Sequence, residues 1–254
     1  MTTKQTVVDY EIVVPSRGRA AGLCHILDVL PSAIISVDER EKSEYSKHVP
    51  LKRLRLHPPT ATLGEVRQLI IDYSKFECVV MIDDDFDFVV SMTGRKPRRI
   101  IDADAIIRII ENTINCAADI GVCLFSWSRM PNPLHYMSCD PLSFVALASN
   151  AWGVIGRKFK VDPTLNLCES VDLTMQNLLH NRIVLHDRRF YFDCGPIWAG
   201  AGGLQGIRTS AGELDEKTKM AQRWGRCLCL NKKKKGGTTG MSIAVKRKSA
   251  FATN

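Results

Sequence analysis

Short apolar runs, most of them rich in β-branched residues, recur through the first half of the chain: YEIVVP (10–15), AIISV (33–37), LKRLRL (51–56), ECVVMI (77–82) and GVCLFS (121–126). Helical patterns lie between them. Leu23, Ile26, Leu27 and Leu30 share one face, as do Val66, Leu69, Ile70 and Tyr73, and then Ile106, Ile107, Ile109, Ile110 and Ile114. Strands alternating with helices predict an α/β fold, a Rossmann-type, mostly parallel sheet flanked by helices on both faces. In such a sheet ligands sit beyond the carboxyl ends of the strands. PSRGR (15–19), SVDER (36–40) and DDD (83–85) follow three of the predicted strands and therefore fall on one edge.

The stretch VVMIDDDFDF (79–88) drives an apolar strand into three adjacent aspartates. Carboxylates near an apolar interior need a positive partner, a metal ion or a bound cation. Asp83 and Asp85 have the D-x-D spacing at which two side chains of a tight turn converge on a cation that prefers oxygen ligands. An acidic turn after a strand is also common without any such role. Arg17, Gly18 and Arg19 follow the first strand, and Arg67 lies on the helix that precedes the acidic one, so cations and acids share an edge suited to a nucleotide diphosphate. The plainer reading is that these arginines pair with acids such as Asp38 and Glu39.

Beyond residue 126 the pattern breaks into short extended pieces, MPNPLHYMSCDP, SFVALAS and NAWGVIGRKF, read as an acceptor-side insertion. A helix is expected at ESVDLTMQNLLHN, a strand at RIVLHDRRFYFD, a glycine-rich segment at 195–213 and a last short helix at LDEKTKMAQRWG. Glu169 and Asp172 share one face of a helix N-terminus, where carboxylates serve as ordinary capping residues or, facing a cleft, as a catalytic base. The expected organisation is a domain over 1–230, with a ligand-binding half at 10–126 and an acceptor half at 127–230, followed by a basic tail at 231–254.

Charge is distributed unevenly. Of 35 basic residues 11 lie in 217–254, which has no acid, leaving 24 basic against 27 acidic residues in 1–216, net −3. Lys232, Lys233, Lys234, Lys235, Lys246, Arg247 and Lys248 form a polyanion-binding arm, or a solvated tail that only aids solubility. No run approaches the roughly 18 apolar residues of a membrane helix, and MTTKQTVVDY lacks a secretory pattern. The nine cysteines sit mostly in apolar runs. These features are expected of a reduced, cytoplasmic protein. Cys227 and Cys229 lack a matching zinc-ligand pair.

The order of P-S-R-G-R, an acidic turn, G-x-x-R, I-D-D-D and E-x-V-D-L resembles the nucleotide-sugar-dependent glycosyltransferases of the GT-A fold over roughly residues 10–192. The resemblance implies a divalent cation, Mn²⁺ or Mg²⁺, and a nucleotide sugar, with a UDP-sugar favoured. It places Pro15, Arg17, Arg19, Asp38 and Arg67 at the donor. Asp83 or Asp84 matches the first acid of the family's D-x-D and Asp85 the last, which is the main metal ligand. The late His186 is a further candidate ligand, and Arg208 is expected on the phosphates. The family's helix begins E-D-x-D-L; here the second acid is missing, so the base stays open between Glu169 and Asp172, with Glu169 preferred. Size and basic tail also resemble enzymes that glycosylate hydroxymethylated pyrimidines in phage DNA and in base J synthesis, making DNA the leading acceptor. An extruded base would stack on aromatics such as Trp127, Tyr136 or Trp152. The rivals are a nucleotidyltransferase, a transferase acting on saccharide or protein, and a non-catalytic nucleic-acid-binding module.

Overall fold

The computed structural model describes residues 8–94, 96–132, 136, 139–148, 150–195, 203, 209–231 and 240–244. In chain order the elements are β1 (Tyr10–Pro15), α1 (Cys24–Val29), β2 (Ile34–Asp38), α2 (Lys42–Tyr45), β3 (Leu54–His57), α3 (Leu63–Tyr73) and β4 (Cys78–Ile82). These are followed by β5 (Phe88–Ser91), β6 (Arg98–Ile100), α4 (Ala103–Asp119), β7 (Leu124–Ser128), β8 (Leu142–Ser143) and β9 (Ala151–Ile155). Last come α5 (Glu169–Asn181), β10 (Leu185–Asp193), α6 (Ser210–Trp224), β11 (Leu228–Leu230) and β12 (Met241–Ile243).

Contacts divide the chain into two units, 1–206 and 207–254. The first holds one ten-stranded sheet in the order β3-β2-β1-β4-β9-β7-β10-β5-β6, with β8 paired to β10. β3, β2, β1 and β4 run parallel, as the sequence predicts, and β7 and β10 are also parallel. The remaining pairings are antiparallel: β9 between β4 and β7, and β5 between β10 and β6. In the second unit α6 begins on Thr209, whose hydroxyl accepts from Gly212 N at 3.0 Å, and α6 packs on the β11–β12 hairpin.

The core follows from the patterns. β1 and β4 are buried along almost their whole length because strands covered on both faces admit only apolar side chains. Ile106, Ile110 and Ile114 of α4 join the same cluster as Val80, Ile82, Phe125 and Trp127. Trp127 stacks edge-on to Phe125 and 4.4 Å from Phe192, and its indole N–H donates to Thr113.

Helix α3 is positioned by its start. Thr62 caps Glu65 N at 3.1 Å, and the Glu65 carboxylate reaches back past the cap to accept from Ala61 N at 2.9 Å, so two N–H groups at the helix start are satisfied. Gly64 lies against the 162–165 loop, with its N–H donating to Leu165 O at 2.8 Å. A Cβ there would meet the Asp162 carbonyl at 2.1 Å and that of Leu165 at 2.8 Å. Both obstacles are backbone. Gly64→Ala is therefore expected to cost about 2–3 kcal/mol, read as a lower urea midpoint.

Candidate active site

The carboxyl ends of β1, β2, β4 and β10 share one edge of the sheet, and a cleft of about 1100 Å³ opens there. Its wall is built from the Gly18–Gly22 loop, His25, Glu41, Tyr45, the acidic turn Asp84–Asp87, Phe88, Arg99, Tyr191 and Asp193. Strand β4 stops at Ile82 because three aspartates cannot continue a fully buried strand. The chain turns instead, with Phe86 N donating to Asp83 O.

Two arginines divide the acids between them. Arg19 Nη1 lies 2.5 Å from Asp84 Oδ1 and 3.1 Å from Asp85 Oδ2, so oxygens of two carboxylates converge on one cationic atom. Ser16 Oγ donates to the other Asp84 oxygen at 2.7 Å and contacts Tyr45 OH at 2.7 Å. On the far side Arg67 donates to Asp83 Oδ1 at 2.7 Å and, through its other terminal nitrogen, to Glu169. Four carboxylates against two guanidinium groups leave a formal balance of −2. Electrostatics agree: burial, with the neighbouring acids adding to it, pushes Asp83 up to about 7 against the pull of Arg67, although 34% of its side chain is exposed. Burial raises Asp84 too, while Ser16 and Arg19 hold it down. Hard oxygen donors converging on a stand-in cation, with more carboxylates than guanidinium groups in these pairings, fit a divalent metal. Among the described residues no three His, Cys, Asp or Glu side chains are grouped closely enough to hold an ion by themselves.

The other expected site residues are placed as follows. Pro15 ends β1 opposite Ser36, and Arg17 is exposed just beyond it. Gly203, in the left-handed region at φ +60°, donates its N–H to Arg17 O at 2.8 Å and lies against Arg19, so the glycine-rich segment meets the first loop at that point. Asp38 ends β2 and is held by Arg40 through side chain and backbone, which lowers it to about 2. Arg208, Lys232, Lys233, Lys234, Lys235, Lys246, Arg247 and Lys248 lie outside the described residues.

The structure places five other candidates away from the cleft lining. His186 is not at the acidic turn. It is the second residue of β10, level with Ser126, Trp152 and Met81 in successive ladders, which puts it about 14 Å along the sheet from β4. Its Nδ1 pairs with Ser126 Oγ at 2.9 Å, and burial lowers it to about 3. Trp127 and Trp152 are fully buried core residues with no face left for a base. Glu169 and Asp172 are buried too, outside the cleft lining, because the first turn of α5 packs inward; Asp172 accepts from Gln176 at 2.8 Å. Tyr136, by contrast, is half-buried against the cluster of Phe88, Val90, Met92 and Tyr191, of which Phe88 and Tyr191 line the cleft.

The His186 environment has a consequence for stability. Below the ordinary histidine value of 6.5 the unfolded chain takes up a proton that the folded chain refuses until about pH 3. The stability contributed by the neutral ring is therefore complete above pH 6.5 and lost progressively as pH falls through that window, by up to about 1.4 kcal/mol per pH unit. Asp83, raised to about 7, contributes a slope of the opposite sign in the same window, so the His186 part is read as the difference between denaturant titrations of the unsubstituted protein and of His186→Gln at pH 7, 6 and 5, the substituted protein losing less stability as pH falls.

Sequence reasoning missed several cleft residues. Asp193, the last residue of β10, is half-buried on the wall, and its backbone carbonyl accepts from Asp87 N at 2.8 Å. His25 Nε2 contacts Asp87 Oδ1 at 2.9 Å across the mouth. Only the rule that ligands lie beyond strand ends could have singled out Asp193.

The fold matches that of GT-A glycosyltransferases. Glucosyl-3-phosphoglycerate synthase from Mycobacterium tuberculosis superposes with a TM-score of 0.50 at 9% identity, over 93% of this chain and 87% of that one. The mannosyltransferase PcManGT from Pyrobaculum calidifontis gives 0.49 at 12% identity over 87% and 66% of the two chains, and S. aureus TarS 1-349 gives 0.44 at 9% over 72% and 60%. This chain thus spans about two thirds or less of the last two. No curated protein matches the sequence. The profile of the TET-associated glycosyltransferases matches residues 10–188, and the chain belongs to that family. Among its described residues no helix is long and apolar enough to cross a membrane.

Proposed function

We propose that this enzyme moves a sugar from a nucleotide diphosphate sugar, a UDP-sugar by preference, to a hydroxymethylated pyrimidine base in DNA. The observation that carries the donor half is the convergence of Asp84 and Asp85 on one cationic atom at the carboxyl edge of the sheet. Asp84 and Asp85 would hold a Mn²⁺ or Mg²⁺ ion there, which would supply positive charge for a diphosphate leaving group. The synthase from M. tuberculosis, which shares the fold, was solved with Mg²⁺ and UDP, and this supports the same donor chemistry.

In this reading Arg17 and Arg19 bind the diphosphate, and Asp38, fixed by Arg40, orients the nucleoside. Arg67 holds Asp83 in register for the turn. The acceptor oxygen forms the new bond to the anomeric carbon while the bond to the diphosphate breaks and its electron pair leaves with the phosphate. Displacement from the opposite face inverts that carbon. The acceptor proton passes to a carboxylate on the cleft wall, and Asp193 is the one we assign. Glu169, tied to Arg67 at 3% exposure, fixes the turn instead of serving as the base. The 11 cations of residues 217–254 support a nucleic-acid acceptor, since such a segment binds phosphates without reading sequence.

Two experiments test this. Melting with a panel of nucleotide sugars, each with and without Mn²⁺, should show a metal-dependent rise with one donor. A rise only with a nucleoside triphosphate would replace the reading with nucleotidyl transfer. With the donor known, incorporation of labelled sugar into hydroxymethylated duplex DNA tests the acceptor. Asp193→Asn should lower kcat by about 10²–10⁴-fold with donor binding intact. A variant that keeps its kcat would return the base to α5.

A further inference from the structure

We infer that the β5–β6 hairpin is the surface that receives the phosphate backbone of the acceptor DNA. The inference rests on the DNA-acceptor reading above and names the surface it requires. The segment GRKPRRII (94–101) carries four cations and no acid, a cluster separate from the basic C-terminal segment. Lys96, Arg98 and Arg99 are all exposed, and none of them pairs with an acid among the described residues, whereas Arg19, Arg55 and Arg67 are each neutralised.

Their placement gives the cluster a direction. β6 is the outermost strand, paired to β5 alone, with Arg99 opposite Val90 and Arg98 opposite Ser91. Side chains alternate along a strand, so Arg98 and Arg99 face opposite sides of the sheet edge. Arg99 lies 4.2 Å over the Phe88 ring and lines the cleft. Stacking on an aromatic face holds a guanidinium in place while leaving its N–H groups available to phosphate. A cationic ridge therefore begins at the cleft mouth and runs outward along the sheet edge. The cleft floor is the reverse, lined by Asp84, Asp85, Asp87 and Asp193. The donor's single diphosphate enters there with a divalent ion to compensate it, whereas a backbone of many phosphates has no such compensation on that floor. An acceptor whose backbone stays on the ridge while one neutral base reaches the cleft satisfies both fields. Charged side chains also keep edge strands from pairing with other chains, but that role places no demand on Arg99 at the cleft.

The test uses the full chain and a fluorescent duplex carrying hydroxymethylcytosine, with anisotropy read across a salt series. Each phosphate neutralised contributes about 0.9 to the slope of log K against log salt. Lys96→Gln with Arg98→Gln should lower the slope by about 2, and adding Arg99→Gln by about 3, with affinity at least tenfold weaker. Melting of each unliganded variant reports that it folds; the exposed pair 96 and 98 is chosen for that reason. If the unsubstituted protein binds the duplex and both variants match its slope, the hairpin assignment is overturned while the DNA reading stands. If the unsubstituted protein ignores the duplex, or binds only vesicles of anionic lipid, the acceptor reading fails and takes this inference with it.

Discussion

Asp85→Asn is expected to lower turnover by about 10³-fold, on the order of 4 kcal/mol at the transition state, with almost no change in melting temperature. The asymmetry comes from where Asp85 sits. Its side chain is 43% exposed and makes one contact at 3.1 Å to Arg19, an ion pair of the kind worth less than about 1 kcal/mol. Removing its charge also relieves repulsion within the turn, which adds to the burial that raises Asp83 to about 7. What is lost is one of the two oxygens that converge on a single cationic position. Mn²⁺ binding followed by electron paramagnetic resonance should weaken in parallel with turnover. An Asp85→Asn protein that keeps both would move the metal elsewhere.

Arg67→Met is the reverse case, a large loss of stability. Arg67 is 4% exposed, stacks 5.3 Å from the Trp152 ring and donates to Asp83 and Glu169. Methionine fills much of the same volume but leaves two carboxylates facing each other in a site pushed toward neutrality by burial. Breaking a buried pair in this way costs about 3–5 kcal/mol. The double substitution Arg67→Met, Glu169→Gln should recover part of that loss, because one of the stranded charges goes with it. A double-mutant cycle by urea unfolding gives the coupling directly. Additive losses would show that Arg67 stabilises through packing on Trp152 alone.

Both predictions concern residues that the sequence picks out by position, yet their roles follow from three-dimensional contacts. The helical pattern over 66–73 announces α3, the isoleucines of α4 its buried face, and E-S-V-D-L the start of α5, and each helix is found there. β5 and β6 were not anticipated. FVVS and RRI are four and three residues long, flanked by charge, and become strands only because β10 offers an edge to β5 and β5 in turn to β6. His186 shows the limit from the other side. A histidine late in the chain suits a metal in sequence, but its strand enters the sheet three ladders from β4, and no local signal encodes which strands become neighbours.

What the sequence determined by itself is the set of local choices: parallel strands buried on both faces, capped helices between them, and acids and arginines just past the strand ends. Periodicity and capping act over a few residues, so they can be read without the fold. The tertiary structure alone decided which cation meets which acid. Arg19 goes to Asp84 and Asp85, Arg67 to Asp83 and Glu169, and Asp193 to the cleft wall. Those pairings join residues 16 to 102 positions apart. They form because burying any one of these charges unpaired costs more than ordering the chain that brings its partner.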